Sequence, residues 1–485
     1  MVCCAAVFNA AWADSGVEFI TVGESRQPLA CRIHLRDDSD KPVKAPGLPF
    51  WHDHFVCTGK VALALAPGAY VYEIERGPEY RAISNSFTLA AEASLLVTNE
   101  LRRIANMAAE GWWSGEFHVH RKLEEIELHM AAEDLHFAHV ITWWNQKNPW
   151  ANRELPANAV TTFDGNRFFH QWAGEDERGG GALLYLNLNR PMDMSGSKRE
   201  FPSSVKFLRT ARPQAESWID VEKPFWWDVP LWLANEPVDS VGIAHNHHHR
   251  GGMLTNEAWG KARDSGRFPD KHGNGLWTQE IYFHILNCGF RIPPSAGSAS
   301  GVLPNPVGYN RVYVHLDEAP SWDAWHDAFR RGRVFVSNGP LLRCRANGKL
   351  PGNVFSSADP LDVTITMQLD SRDPVRSVEV IHNGRVLSAK LPGSIRIKES
   401  GWFLVRAIAD LDHTLRFALT GPWYVEIGKH PRPVRKQSAQ FFLDWTRERF
   451  SRLDAMEFDG KTEVLETVRK TEAFWKGKVE SANVD

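Results

Sequence analysis

No C-x-x-C pair occurs among the six cysteines (Cys3, Cys4, Cys31, Cys57, Cys288 and Cys344), which argues against a zinc ribbon or a thioredoxin-type redox motif. No apolar run approaches the roughly 20 residues that a membrane-spanning helix needs. Neither sign of charge is in excess. The chain sets 56 Lys+Arg against 59 Asp+Glu, a net of -3, so the balance suggests neither a nucleic-acid groove nor an anionic membrane surface as partner. There is no internal repeat and no low-complexity tract. Cys31 and Cys57 are able to pair if the protein is exported, but buried free thiols fit a chain of 485 residues better. The opening "MVCCAAVFNAAWADS" carries an A-x-A-like "AWA" but no basic start, and Asn9 breaks its apolar stretch. It reads as a signal-peptide remnant of a periplasmic or secreted protein, or as a disordered leader on a cytoplasmic one.

What the chain has in abundance is tryptophan. There are 20, and twelve fall between Trp112 and Trp277, with doublets at 112/113, 143/144 and 226/227. Core packing accounts for most such residues; stacking on a ring-bearing ligand such as a sugar is the functional alternative.

The length exceeds one compact core, and the patterning divides it. After a leader over 1–16, short β-rich runs ("VEFITV", "ACRIHL", "AYVYEIE") predict an antiparallel β-sandwich over 17–105. Strands then alternate with helices over 106–342, which predicts a mainly parallel sheet or barrel. Within it, "SWDAWHDAFRRGRVFVSNG" places Trp322, Trp325 and Phe329 on one helix face, capped by Ser321 and ended by Gly332. Helix-free strands return over 343–430 as a second β-domain. A helical tail over 431–485 carries apolar stripes (Phe442, Trp445, Leu453; Val464, Leu465, Val468) able to dock on the body or on a partner. The expected class is multidomain α/β plus β.

In "GEFHVH", strand alternation sends Phe117 and Val119 to one face and Glu116, His118 and His120 to the other. Two imidazoles so spaced at a strand end suit one metal ion, though H-x-H alone is a weak signal. "VEKPFWWDVPLWLANEPVDSVGIAHNHHHRGG" adds Glu222 at a strand end and four histidines in five positions, with His248 and His249 read as exposed loop. Barrel enzymes gather their sites at the carboxyl ends of strands, so His118, His120, Glu222, His245 and His247 are expected to converge as ligands. Imidazole with carboxylate suits zinc first, manganese or iron otherwise. A hydroxide on such an ion attacks esters, amides or phosphoesters.

"GEFHVH", the helix ending "AEDLHFAHVIT", "LNCGFRIPPSAGSASG", "GYNRVYVHL" and "RRGRVFVSNGPLLRCRANGKLPG" together resemble the PHP (polymerase and histidinol phosphatase) superfamily, and within it the CehA/McbA branch of metallohydrolases. The likeness covers roughly residues 108–355. It implies a distorted (β/α)7 barrel, flanked by β-domains, and metal-dependent hydrolysis of ester, carbamate or phosphoester bonds. His118 and His120 match the family's first motif, Glu222 its bridging carboxylate, and His245 or His247 its later strand-end histidine. Two departures matter. "TWWN" stands where the family usually reads T-D-H-N, so Trp143 and Trp144 replace an aspartate and a histidine ligand, and Ala299 of "GSASG" stands where another aspartate ligand is usual.

A full multi-metal cluster is therefore not expected, and a single ion is. One divalent ion with a bound water suffices for hydrolysis and suits acyl carbon better than phosphoryl transfer. Glu222 and His247 are the first candidates for the chemistry. Trp143, Trp144, Asn145, Trp226, Arg291 and Ser298 are candidates for holding a small-molecule or carbohydrate-like substrate, with Arg121, Lys223 and Asn246 behind them and Trp227 as a further pocket wall. The competing expectation is a catalytically silent barrel that binds carbohydrate or protein through its tryptophans.

Overall fold

A computed structural model describes residues 15–428 and 432–485; the expected leader, with Cys3 and Cys4, lies almost wholly outside the described residues. The chain divides into two compact units, one formed by 1–104 with 127–134, the other by 105–126 with 135–485.

The first unit is antiparallel except for one parallel pair. A three-stranded sheet (Lys60–Ala64, Gly16–Val22, Ser94–Glu100) and a five-stranded one (Phe50–Trp51, His54–Cys57, Cys31–Asp37, Gly68–Glu75, Ile83–Leu89) share one core. Alternation builds it: Val17 and Phe19 from one sheet and Ile33, Leu35, Phe55 and Ile74 from the other are fully or almost fully buried. Inside it, Arg32 is ion-paired with both Glu75 and Glu133, so the buried guanidinium has carboxylates on two sides.

The second unit is mixed α/β around one long sheet. Trp112–Val119 pairs in parallel with Phe137–Trp144, which pairs in parallel with Arg167–Arg178. The next two pairings are antiparallel, through Gly181–Leu186 to Trp218–Val221. Parallel pairing resumes through Ser240–Ala244 to Pro294–Ala296. On its other flank Trp112–Val119 pairs antiparallel with Arg311–His315, and that strand with Val334–Ser337. The sheet is thus less uniformly parallel than the sequence pattern predicts. The cause is local: "RGGG" turns the chain back at Gly181, whose φ of 116° only glycine adopts freely, making a hairpin where a helix crossover was expected. The β-strands beyond residue 342 also extend this sheet, since Phe417–Thr420 pairs with Val334–Ser337.

The helices follow their sequence signals. Ser321 Oγ accepts from Ala324 N at 3.2 Å and caps Trp322–Arg330, Trp325 and Phe329 are buried, and Gly332 closes the helix with φ 73°. The tail forms Lys436–Asp454 and Lys461–Glu480, and its stripes join the main core of this unit, Phe442 stacking on Trp475 at 4.7 Å. No helix among the described residues is long and apolar enough to cross a membrane.

Candidate metal centre

Three side chains meet just beyond the ends of the parallel strands. His118 Nε2 lies 2.9 Å from His120 Nε2 and 3.4 Å from Glu175 Oε2, and His120 Nε2 lies 3.1 Å from the same carboxylate oxygen. Donors held about 2.0–2.2 Å from one tetrahedral ion are separated by about 3.3–3.5 Å, so this triangle is only slightly tighter than a zinc ligand set. His118 is the penultimate residue of the strand Trp112–Val119 and His120 follows its end; both are pinned by the loop after Pro294–Ala296, where Ala299 N donates to His118 O at 2.8 Å and His120 N to Ser300 O at 2.8 Å.

Glu175 was not among the residues expected. On the strand next to the "TWWN" segment it stands level with Trp144 in the parallel register, so a carboxylate is presented there at the height of the second tryptophan. Asn145 holds that segment. In a left-handed conformation (φ 51°), it donates from its backbone N to Glu175 O at 2.8 Å, accepts from Glu177 N at 2.8 Å and donates from Nδ2 to Glu177 O at 2.9 Å. Expected as a substrate contact, Asn145 spends its side chain on the backbone of Glu177 and its N–H on Glu175.

Glu222 lies on the other side of the His118 ring, with Oε1 3.5 Å from Nδ1. Its other oxygen accepts from Trp226 Nε1 at 3.0 Å and from the Lys223 ammonium, which also sits over the Trp226 ring. Glu222 thus lies behind the His118 ring, outside the group of three whose donor atoms are within reach of one ion. His118 Nδ1 and Glu222 Oε1 have no hydrogen-bond partner among the described residues.

Electrostatics follow from burial. Burial alone would push His118 down, but Glu175 first and then Glu222 outweigh it and raise the imidazole to about 10. Burial raises Glu175, yet His118 and His120 hold it well below the usual carboxylate range. His120 is lowered, first by burial. Glu177, two residues along and half-buried, is pushed up to about 8 by burial and by the Glu175 charge. It lies on the same strand face as Glu175, two residues on.

The remaining expected residues sit elsewhere. His245 spends both nitrogens, Nε2 on Thr278 Oγ1 at 2.8 Å and Nδ1 accepting from His247 N at 3.2 Å, and so has no lone pair left for an ion. His247 Nδ1 has no hydrogen-bond partner among the described residues, but burial and then the Lys223 ammonium hold this ring well below its ordinary value. His248, expected in an exposed loop, is fully buried against Phe417, its Nδ1 donating to His245 O at 3.2 Å. Trp143 turns into the core: Nε1 donates to Trp172 O at 3.1 Å, and the indole lies on Gly174, where a Cβ would meet it at 1.8 Å. Trp226 is likewise buried, and Trp227 is 4 % exposed with Nε1 on Trp259 O, so neither offers a stacking face. Trp144 does reach the rim, half-buried and 5.1 Å from the His120 ring. Ser298 is structural, its N–H on Glu116 at 2.5 Å and its hydroxyl on Asn310. Arg291 is paired with Glu426 at 2.5 Å and lies over Tyr424, and Arg121 is paired with Glu125. Asn246 is fixed through its carbonyl, which accepts from Asn305 at 3.3 Å.

Close packing behind the site gives a prediction. A Cβ on Gly297 would meet His118 Cβ at 2.5 Å, inside van der Waals contact. Gly297→Ala is therefore expected to destabilise by about 1–3 kcal/mol and to displace His118, read as a lower unfolding midpoint together with weaker metal uptake.

No known family model matches the chain, and a search of curated proteins finds no match.

Proposed function

We propose that this protein is a single-metal hydrolase whose ion is held by His118, His120 and Glu175, acting on an ester, carbamate or amide. The observation that carries the reading is the triangle of three donor atoms from two strands, buried and 2.9–3.4 Å apart, with a carboxylate behind one imidazole. Three protein ligands and an open position are the usual arrangement of a catalytic zinc. When bound, the ion supplies Lewis acidity that makes an acyl carbon more electrophilic and a water more acidic. The chain's own residues do the rest. The Glu222 carboxylate, 3.5 Å from His118 Nδ1, favours the proton on that nitrogen electrostatically and leaves Nε2 to the site; Asn145 fixes Glu175; Glu177 holds a proton to pass to a leaving group; Trp144 walls the entry beside His120. A phosphoester fits less well, because Lys223 is already committed to Glu222.

We also propose that the mixed sheet is the distorted barrel of the PHP-like class. The bridge between Val119 and Ser300 supports this, as it brings the segment after the last parallel strand back to the first. Membership of the CehA/McbA branch rests on the motifs alone.

A second reading, a silent binding module, has one observation in its favour: an imidazolium at His118 between Glu175 and Glu222 balances the cluster without an ion. Metal titration separates the two. Elemental analysis is expected to find one ion per chain, zinc first. Because the ion must displace the His118 proton, binding is expected to release about one proton and to tighten roughly tenfold per pH unit between 7 and 9. A protein that binds zinc no better than its His118→Ala variant would leave only the silent module.

A further inference from the structure

The first unit holds a feature that the metal centre does not use. Cys31 opens the strand Cys31–Asp37 and Cys57 closes His54–Cys57, and the two are directly opposed in the antiparallel register. Their sulfurs are 3.8 Å apart, and both side chains are buried. Cys288 and Cys344 are buried as well, but neither has a sulfur neighbour among the described residues.

We propose that Cys31 and Cys57 are a redox pair that closes to a cross-strand disulfide by exchange with a low-molecular-weight disulfide. Directly opposed residues of antiparallel strands have Cα atoms about 4.5–5.5 Å apart, within the roughly 4.4–6.8 Å that a disulfide spans. Bringing the sulfurs to about 2.05 Å then needs side-chain rotation, not backbone movement.

The two thiols have different parts. The hydrogen bond from Cys31 is the main influence holding Cys57 below its ordinary value, and the same contact raises Cys31. Cys57 is the attacking sulfur and Cys31 the resolving one. The Cys57 thiolate attacks one sulfur of the small disulfide, forming a mixed disulfide and releasing one thiolate. Cys31, losing its proton to solvent, attacks the Cys57 sulfur and expels the second. Two protein thiols lose two electrons and two protons; one small disulfide becomes two thiols.

Access is through the sheet rim. Both sulfurs lie in the core of this unit, so exchange requires local opening of His54–Cys57, whose outer neighbour is only the two-residue strand Phe50–Trp51, while Cys31–Asp37 keeps its inner partner.

The test uses the full chain equilibrated with excess oxidised glutathione at pH 8. The expected product has lost the mass of two hydrogens, has two fewer titratable thiols, and yields a linked Cys31–Cys57 peptide. Its unfolding midpoint is expected to rise by several degrees, because a short loop is closed in the unfolded chain. Cys31→Ser should stop at one glutathione on Cys57. If the native protein does not react, refolding from denaturant in the same buffer removes the access barrier. A refolded protein with both thiols free, or linked peptides that join other cysteines, would overturn the proposal.

Discussion

Glu175→Gln is expected to abolish metal retention and hydrolysis while leaving the chain folded. Glutamine keeps the size and one oxygen of glutamate but removes the anion that faces both imidazoles. The triangle then has two neutral donors and a weak one, and we expect zinc affinity to fall by about 1,000-fold and ester hydrolysis with it. Glu222→Gln makes the contrast. Acting behind the ring, Glu222 should cost only about 10–100-fold, the usual effect of a partner that orients a ligand. Isothermal titration with zinc at fixed pH reads both, and near-ultraviolet circular dichroism checks the fold. Equal losses from the two variants, or a larger loss at Glu222, would return Glu222 to the ligand set and displace Glu175 from it.

Why Glu175 escapes a reading of the sequence is instructive. The H-x-H motif is legible because strand alternation puts both rings on one face, and Glu222 because it follows a strand and precedes a helix. Glu175 lies inside "GEDERGGG", where a charge run before glycines has the composition of a solvated turn. Only the parallel register with Phe137–Trp144 brings it level with Trp144 and within reach of His118 and His120, and register between strands about 30 residues apart is set by tertiary pairing. A usable signal was present: Glu175 and Glu177 alternate along a strand beginning "RFFHQW", and paired carboxylates on one strand face near a strand end are candidates for chemistry. The histidine run failed in the opposite direction. Four histidines in five positions suggest ligands, but bonds to Thr278 and the His247 backbone consume His245, and His248 turns into the core against Phe417 with its Nδ1 on a carbonyl. The tryptophan doublets were legible only as a choice between core and platform. Burial decides for core at Trp143, Trp226 and Trp227, while Trp144, the next residue on its strand, falls to the rim.

Acid should unfold this protein well before its carboxylates are fully protonated. His139, His170 and His326 are buried together among Trp322, Trp325 and Phe117, and their hydrogen bonds suit neutral rings. His326 Nδ1 donates to Trp322 O at 2.9 Å, which leaves its Nε2 to accept from His139 Nε2 at 3.1 Å; His170 Nε2 donates to Leu188 O at 3.1 Å. A second proton on any of these rings would be an added charge in a dry core. Burial first, then the neighbouring imidazoles, hold His139 well below its ordinary value; burial takes His170 to about 3 and His326 to about 4. His245, lowered well below its ordinary value, and His248, at about 3, are lowered first by burial too. With folded values below the unfolded one of about 6.5, stability is intact above that pH and is lost as pH falls from there towards the folded values, because only the unfolded chain takes up protons. His170 and His326 each lose about 2 kcal/mol between pH 7 and 5. Glu116, raised by burial to about 7, and Asp220, raised by burial to about 6, run the other way, since there the folded state binds the proton first. Glu177, raised by burial to about 8, runs the same way, so part of the loss is returned. Urea unfolding at pH 7, 6 and 5 should therefore show the midpoint falling steeply, and His170→Gln should flatten the slope by about one proton. A midpoint unchanged from pH 7 to 5 would mean that these rings are not held neutral by the core.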